Sequence, residues 1–212
     1  MWRIFRNLFY RFLRIHARML LTLLFQLRVD GRQHLRLDGG AMLLSTHQSV
    51  MDPVLVGLMD NHVISYLARH TLFRHPLFAL LIRVLNAIEI DRERGGLAGL
   101  REMLKRLKQN DRVLLFPEGT RTSDGQIGTL KSGFIPIARR SKVPLIPIAI
   151  AGAYDCMPKG SRGIRVRPIS ISVGLPLQAE EYSDWSDEQL LTELSARLHA
   201  LHARALHLRA IG

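Results

Sequence analysis

The 212-residue chain carries 30 lysines and arginines against 18 aspartates and glutamates, a formal net charge of +12, and is 47% apolar. That apolar content suits one packed domain and excludes a low-complexity or disordered chain, while the charge excess points to an anionic partner: a lipid surface, nucleic acid or an acidic protein. The single cysteine, Cys156, excludes an internal disulfide and any cysteine-based zinc site, and reads as a core residue.

From Trp2 to Leu27 no acidic residue occurs, and six arginines precede Asp30. Phe5, Phe9, Phe12, Met19, Leu23 and Leu27 recur at helical spacing on one stripe, which His16 interrupts. Arg3, Asn7, Arg11, Arg14 and Arg18 form a second stripe. The uncharged run from Met19 to Leu27 is about half of the roughly 20 residues that a bilayer span requires. The spread of arginines and the lack of a small-residue cleavage site argue against a signal peptide. Residues 1–30 are therefore expected to form a basic amphipathic helix in the membrane interface, and residues 31–212 the domain that it anchors.

Beyond that helix, Ala41–Ser45 reads as a buried strand, and Pro53 to Met59 as a helix capped by Asp52. Leu97, Leu100, Leu104 and Leu107 mark a helix that closes at Asn110, followed by a buried strand over Val113–Phe116. A turn at Ser123-Asp124-Gly125 precedes a helical stretch near Lys131 to Arg140, and Val143–Ile150 is a third strand. Ile164, Val166, Ile169, Ile171 and Val173 alternate around Pro168 and suggest two more short strands. Ser186 and Gln189 form a capping box that opens a C-terminal helix. Strands alternating with helices predict an α/β fold, a central mostly parallel or mixed sheet flanked by helices, with active residues in loops at the carboxyl ends of strands. His47 and Glu118 both occupy such positions.

Two hexads carry chemistry. In His47-Gln-Ser-Val-Met-Asp52 the imidazole and carboxylate would lie about 140° apart on a straight helix, but a tight turn lets them meet. Asp52 would then hold the Nδ1 proton and leave Nε2 free to take a hydroxyl proton. In Phe116-Pro-Glu-Gly-Thr-Arg121 a glycine just past a buried strand lets backbone approach a ligand, and Arg121 offers a fork that matches phosphate.

In this order the two hexads resemble the glycerol-phosphate acyltransferase family of phospholipid synthesis, the bacterial 1-acylglycerol-3-phosphate acyltransferases in particular. Four blocks carry the likeness: His47 to Asp52, Ile88-Glu-Ile-Asp91-Arg92, Phe116 to Arg121 and Val143-Pro-Leu-Ile-Pro147. Thr46, Asn86 and Glu89 depart from the more usual Asn, Gly and aromatic residues.

The resemblance implies transfer of a fatty acyl group from acyl-CoA or acyl carrier protein to the free hydroxyl of 1-acylglycerol 3-phosphate, giving phosphatidic acid. His47 would be the general base and Asp52 its partner. Arg69, Arg92, Glu118, Gly119, Thr120 and Arg121 would form the substrate-binding set, with Glu118 organising the loop. No cofactor and no metal are implied. The expected partners are the lysophospholipid, the acyl donor and an anionic membrane surface, without nucleic acid. The expected location is peripheral, on the cytoplasmic face of the inner membrane. Glycerol 3-phosphate, a lyso-ornithine lipid or another lysophospholipid remain alternative acceptors. A non-catalytic basic protein that binds membrane or nucleic acid is the alternative of a different class.

Overall fold

Alternation along the central strands explains the architecture. In the computed structural model, Ala41 and Leu43 enter one hydrophobic cluster while Met42 and Leu44 enter another, on the opposite side of the sheet. Leu114 and Val113 divide the same way, as do Ile146 and Leu145. A strand buried on both faces reads as a continuous apolar run, and it requires helices on both sides. The structure describes residues 15–74, 76, 79, 82, 86–90, 97–161 and 163–211.

Seven strands form one mixed sheet: β1 (Arg28–Asp30), β2 (Ala41–Ser45), β3 (Ile64–Arg69), β4 (Ala87–Ile90), β5 (Arg112–Leu115), β6 (Leu145–Ala151) and β7 (Ser170–Val173). Their spatial order is β1-β7-β6-β2-β5-β3-β4. Strands β2 to β6 run in one direction; β7 pairs antiparallel with β6, and β1 runs parallel to β7. One edge of the sheet therefore gathers the carboxyl ends of five strands and the amino ends of β7 and β1.

The helices are α1 (15–25 as described), α2 (Asp52–Met59), α3 (Leu97–Lys108), α4 (Ile135–Ser141), α5 (Ala153–Cys156), α6 (Ala179–Tyr182) and α7 (Asp187–Ala210). Phe25 and the residues of α2 fill one cluster; α3, α4 and α7 fill the other. Helix α7 opens on the expected capping box: Ser186 Oγ accepts from Gln189 N at 3.1 Å, and Gln189 Oε1 accepts from Ser186 N at 2.8 Å. Cys156 is fully buried in the core.

The expectations need correction at three places. Helix α2 begins at Asp52 with Met51 at its N-cap, and no side chain caps it. Asp52 is not the cap, because its carboxylate turns back onto the preceding loop. The stretch from Lys131 to Arg140 divides into a 3-10 turn, Ser132–Phe134, and α4. The alternation around Pro168 yields only β7. Residues 163–168 lie outside the sheet, where Pro168 has no N–H to give a ladder and Arg165 N donates to Cys156 O at 2.8 Å.

Strand β1 falls at the end of the segment expected to form the N-terminal helix, and that helix stops at residue 25. Residues 1–14, which hold most of the predicted arginine stripe, lie outside the described residues. Among the described residues no helix is long and apolar enough to cross a membrane.

Candidate active site

Strand β2 ends at Ser45, and the chain turns sharply before α2. Asp52 Oδ2 holds that turn, accepting from Gln48 N at 2.6 Å and Ser49 N at 2.7 Å while lying 2.8 Å from His47 Nδ1. Two backbone donors on one oxygen favour the carboxylate, so the imidazole is the donor at Nδ1 and its Nε2 carries the free lone pair. Burial pushes the Asp52 carboxyl above its ordinary range, opposed first by the hydrogen bond from His47, then by its charge and by the N–H groups of Ser49 and Gln48. Its Oδ1 is buried with no hydrogen-bond partner among the described residues. The His47 side chain is 18% exposed against 0% for Asp52, so a ligand can reach the imidazole and not the carboxylate.

The second hexad closes over this pair from the neighbouring strand. Leu44 pairs with Leu115, which brings Phe116 beside the histidine loop. The Phe116 ring stacks on His47 with centroids 3.9 Å apart and 16° between planes, holding the imidazole against rotation. Glu118 is buried and bridges two loops: Oε1 accepts from His47 N at 2.8 Å and Oε2 from Gly128 N at 2.8 Å. Its carboxyl is raised by burial, against the Gly128 and His47 N–H groups and the His47 charge that lower it and the Asp52 charge that raises it. Both oxygens serve the loop, and Thr122 N donates to His47 O at 2.8 Å to complete the clasp.

Gly119 has φ +71°, a conformation that strains any residue with a side chain. Its own N–H donates to Phe116 O at 3.0 Å, and so is engaged within the turn. The N–H groups of Thr120 and Arg121, by contrast, have no backbone partner among the described residues. Thr120 is exposed and Arg121 half-buried, and among the described residues the Arg121 guanidinium forms no ion pair.

Sequence reasoning missed Lys131 as a site residue. Its ammonium and methylenes lie over Gly119, with Nζ 3.2 Å from where a Cβ on that glycine would stand, while its own N–H donates to Pro117 O at 2.8 Å. A cation distant in sequence therefore covers the loop that leads to Arg121. Arg69 ends β3 on this edge of the sheet, paired with Ile90, after which the chain leaves β4. The Arg69 side chain and the whole of Arg92 lie outside what the structure describes.

Gln48 links the site to α7. Its Nε2 donates to Gly125 O at 2.9 Å and lies 3.3 Å from His202 Nε2, while its Oε1 accepts from Tyr154 N at 3.3 Å. Leu190, Leu194, Leu198 and His202 share one buried stripe at four-residue spacing, the pattern from which this contact was readable. Burial, and less so the His199 charge, pushes the His202 imidazole below its ordinary range. The fold thus favours neutral His202: its contribution is complete above the unfolded value of ~6.5 and is lost as pH falls through the lower folded value. We expect His202→Leu to flatten the decline of Tm on acidification in that window; an unchanged acid slope would show that His202 does not couple to folding.

The site therefore joins a histidine bonded to a buried carboxylate, at the carboxyl edge of an α/β sheet, to a glycine turn that Lys131 covers and that Arg121 follows. The chain belongs to the acyltransferase family, whose match covers residues 26–151 and so contains every one of these site residues. It is 26% identical over 191 residues to a 1-acyl-sn-glycerol-3-phosphate acyltransferase of Bacillus subtilis, covering 90% of this chain and 93% of that one. It is 33% identical over 144 residues to a protein of the same name from Pseudomonas aeruginosa, covering 66% of this chain and 54% of that one. The crystal structure of the 1-acyl-sn-glycerophosphate acyltransferase PlsC from Thermotoga maritima superposes with a TM-score of 0.73 at 27% identity, covering 87% of this chain and 72% of that one.

Proposed function

We propose that this acyltransferase esterifies the free hydroxyl of 1-acylglycerol 3-phosphate with a fatty acyl group from a thioester donor, acyl-CoA or acyl carrier protein, to give phosphatidic acid. The observation that carries the reading is the His47–Asp52 contact, with Lys131 over the adjoining glycine turn and Arg121 two residues beyond that glycine. His47 Nε2 takes the proton of the acceptor hydroxyl as its oxygen attacks the thioester carbonyl. The C–O bond forms, the C–S bond breaks, and the proton passes from His47 to the departing thiolate. The N–H groups of Thr120 and Arg121 are placed to receive the oxyanion of the tetrahedral intermediate. Arg121 and Lys131, with Arg92 and Arg69 from the neighbouring strand ends, hold the acceptor phosphate. The N-terminal segment that precedes β1 docks the domain on the anionic cytoplasmic face of the membrane, where the lysolipid resides.

Arg121→Ala tests the acceptor assignment. Loss of a charge-assisted contact worth ~1.5–3 kcal/mol should raise the acceptor KM about 10- to 150-fold, with the donor KM little changed. Lys131→Ala should act in the same direction. A change confined to the donor KM would transfer these cations to the phosphates of the coenzyme or to the carrier protein.

A further inference from the structure

Several exposed apolar side chains gather at one end of the sheet, while others, such as Val63 and Leu175, stand elsewhere. Leu20 and Leu23 of α1, Val50 and Val54 just beyond His47, and Ile164 and Val166 all stand exposed. All belong to segments at the edge of the sheet where β2 and β6 end and β7 and β1 begin, the edge that carries His47. The topology requires this: the chain leaves β6 at Ala151 and re-enters the sheet at Ser170, so the whole connection lies there.

Within that connection, residues 158–161 and 163–168 are held by several hydrogen bonds. Arg165 N donates to Cys156 O at 2.8 Å, Cys156 Sγ lies 3.4 Å from Arg167 O, and Arg209 Nε donates to Pro168 O at 2.8 Å. Between these ties Ile164 and Val166 are each 58% exposed. They alternate with Arg165 and Arg167, also exposed, and Lys159 is exposed at the start of the loop. Among the described residues none of these three cations forms an ion pair, and no acidic residue occurs from Cys156 to Ala179. The loop is tied to the end of α1 as well, since Ile169 N donates to Phe25 O at 2.9 Å. Helix α1 in turn packs Ala17, Leu21 and Phe25 on the core and leaves Leu20 and Leu23 uncovered.

We propose that loop 158–168 is a second membrane-docking element: Ile164 and Val166 enter the acyl boundary of an anionic bilayer while Lys159, Arg165 and Arg167 meet its lipid phosphates. A polar rim of cations around protruding aliphatic residues matches a charged interface over an apolar interior. An acidic protein would match the cations and leave the isoleucine and valine without a reason to protrude. With α1 the loop gives two separated contacts on one edge, which fixes the tilt of the domain and turns the His47 loop toward the lipid. Two linked contacts also bind more tightly than either alone. The inference rests on the membrane reading proposed above and adds the place where the domain itself touches lipid.

The full chain and two double variants, Ile164→Ser with Val166→Ser and Arg165→Gln with Arg167→Gln, would be partitioned onto vesicles of phosphatidylcholine alone and with phosphatidylglycerol. The serine pair should lose about tenfold in partitioning on both compositions. The glutamine pair should lose roughly thirtyfold on anionic vesicles and little on neutral ones. Turnover on a short-chain soluble acceptor should not change in either. Partitioning equal to that of the intact chain in both variants would overturn the proposal while leaving α1 as an anchor. An intact chain that failed to bind either vesicle would remove the membrane reading and this inference together. Unchanged partitioning of the glutamine pair with a raised KM for an acyl carrier protein donor would assign the loop to that protein instead.

Discussion

Replacing His47 by alanine should lower acyl transfer by ~10²–10⁴-fold, the range typical for loss of a general base. The fold should survive, because the side chain is partly exposed and the turn is held by other contacts. Asp52 would still accept from Gln48 N and Ser49 N, and Glu118 would still hold the backbone N–H at position 47. Asp52→Asn separates orientation from chemistry. With its oxygen in the Oδ2 place the amide still accepts from Nδ1 and both N–H groups, but it brings no charge to hold the imidazole and buries an NH2 where Oδ1 has no partner among the described residues. Its turnover should fall less than that of His47→Ala, with some loss of thermal stability besides. A purified, folded His47→Ala protein retaining more than about a tenth of wild-type turnover would miss that range and remove His47 from the role of base.

The largest stability effect should come from the opposite edge of the sheet. Arg112, at the start of β5, is fully buried and paired with Asp60, itself 1% exposed. The guanidinium also donates to Leu35 O at 2.8 Å and Leu37 O at 2.6 Å, tying the loop before β2 to the end of α2. Asp60 further accepts from His62 N at 2.9 Å. Removing one partner of such a pair leaves a desolvated charge. Asp60→Ala should therefore cost ~3–5 kcal/mol, a fall in Tm of roughly 6–20 °C for a chain of this size. Asp60→Ala combined with Arg112→Met should be less damaged than the two single changes summed, because neither charge is then stranded. A loss below about 1 kcal/mol in Asp60→Ala, the range of exposed pairs, would mean that water reaches the site.

Both effects show which features were legible in advance. The His47–Asp52 contact could be anticipated from spacing, since an α/β strand end supplies the tight turn that a helix would deny. The central strands were legible because burial on both faces makes them uninterrupted apolar runs. Strand β1 was not: three residues, Arg28–Asp30, are too few for any period, and pairing with β7 alone makes them a strand. Strand β3 is long enough, but Ile-Ser-Tyr-Leu-Ala-Arg carries its apolar and polar residues in no clean order. The buried arginine at position 112 was invisible because a charge beside an apolar run looks like a surface flank, and its partner lies 52 residues away. Phe116 belongs to the second hexad, but its stacking on His47 depends on the register of β2 against β5. Lys131 needed the left-handed turn at Gly119 to bring it back over the loop.

A chain with this site should move an acyl group onto a lysophospholipid hydroxyl beside a phosphate. The most direct test is mass spectrometry of the products formed when the purified chain meets an acyl thioester and a panel of acceptors: 1-acylglycerol 3-phosphate, glycerol 3-phosphate, a lyso-ornithine lipid and a neutral monoacylglycerol. The expected outcome is a diacyl product, phosphatidic acid, from the first at the highest rate, little from the neutral acceptor, and at most about a hundredth of the wild-type yield from His47→Ala. Equal acylation of the neutral acceptor, or release of free fatty acid with no acylated product, would contradict it.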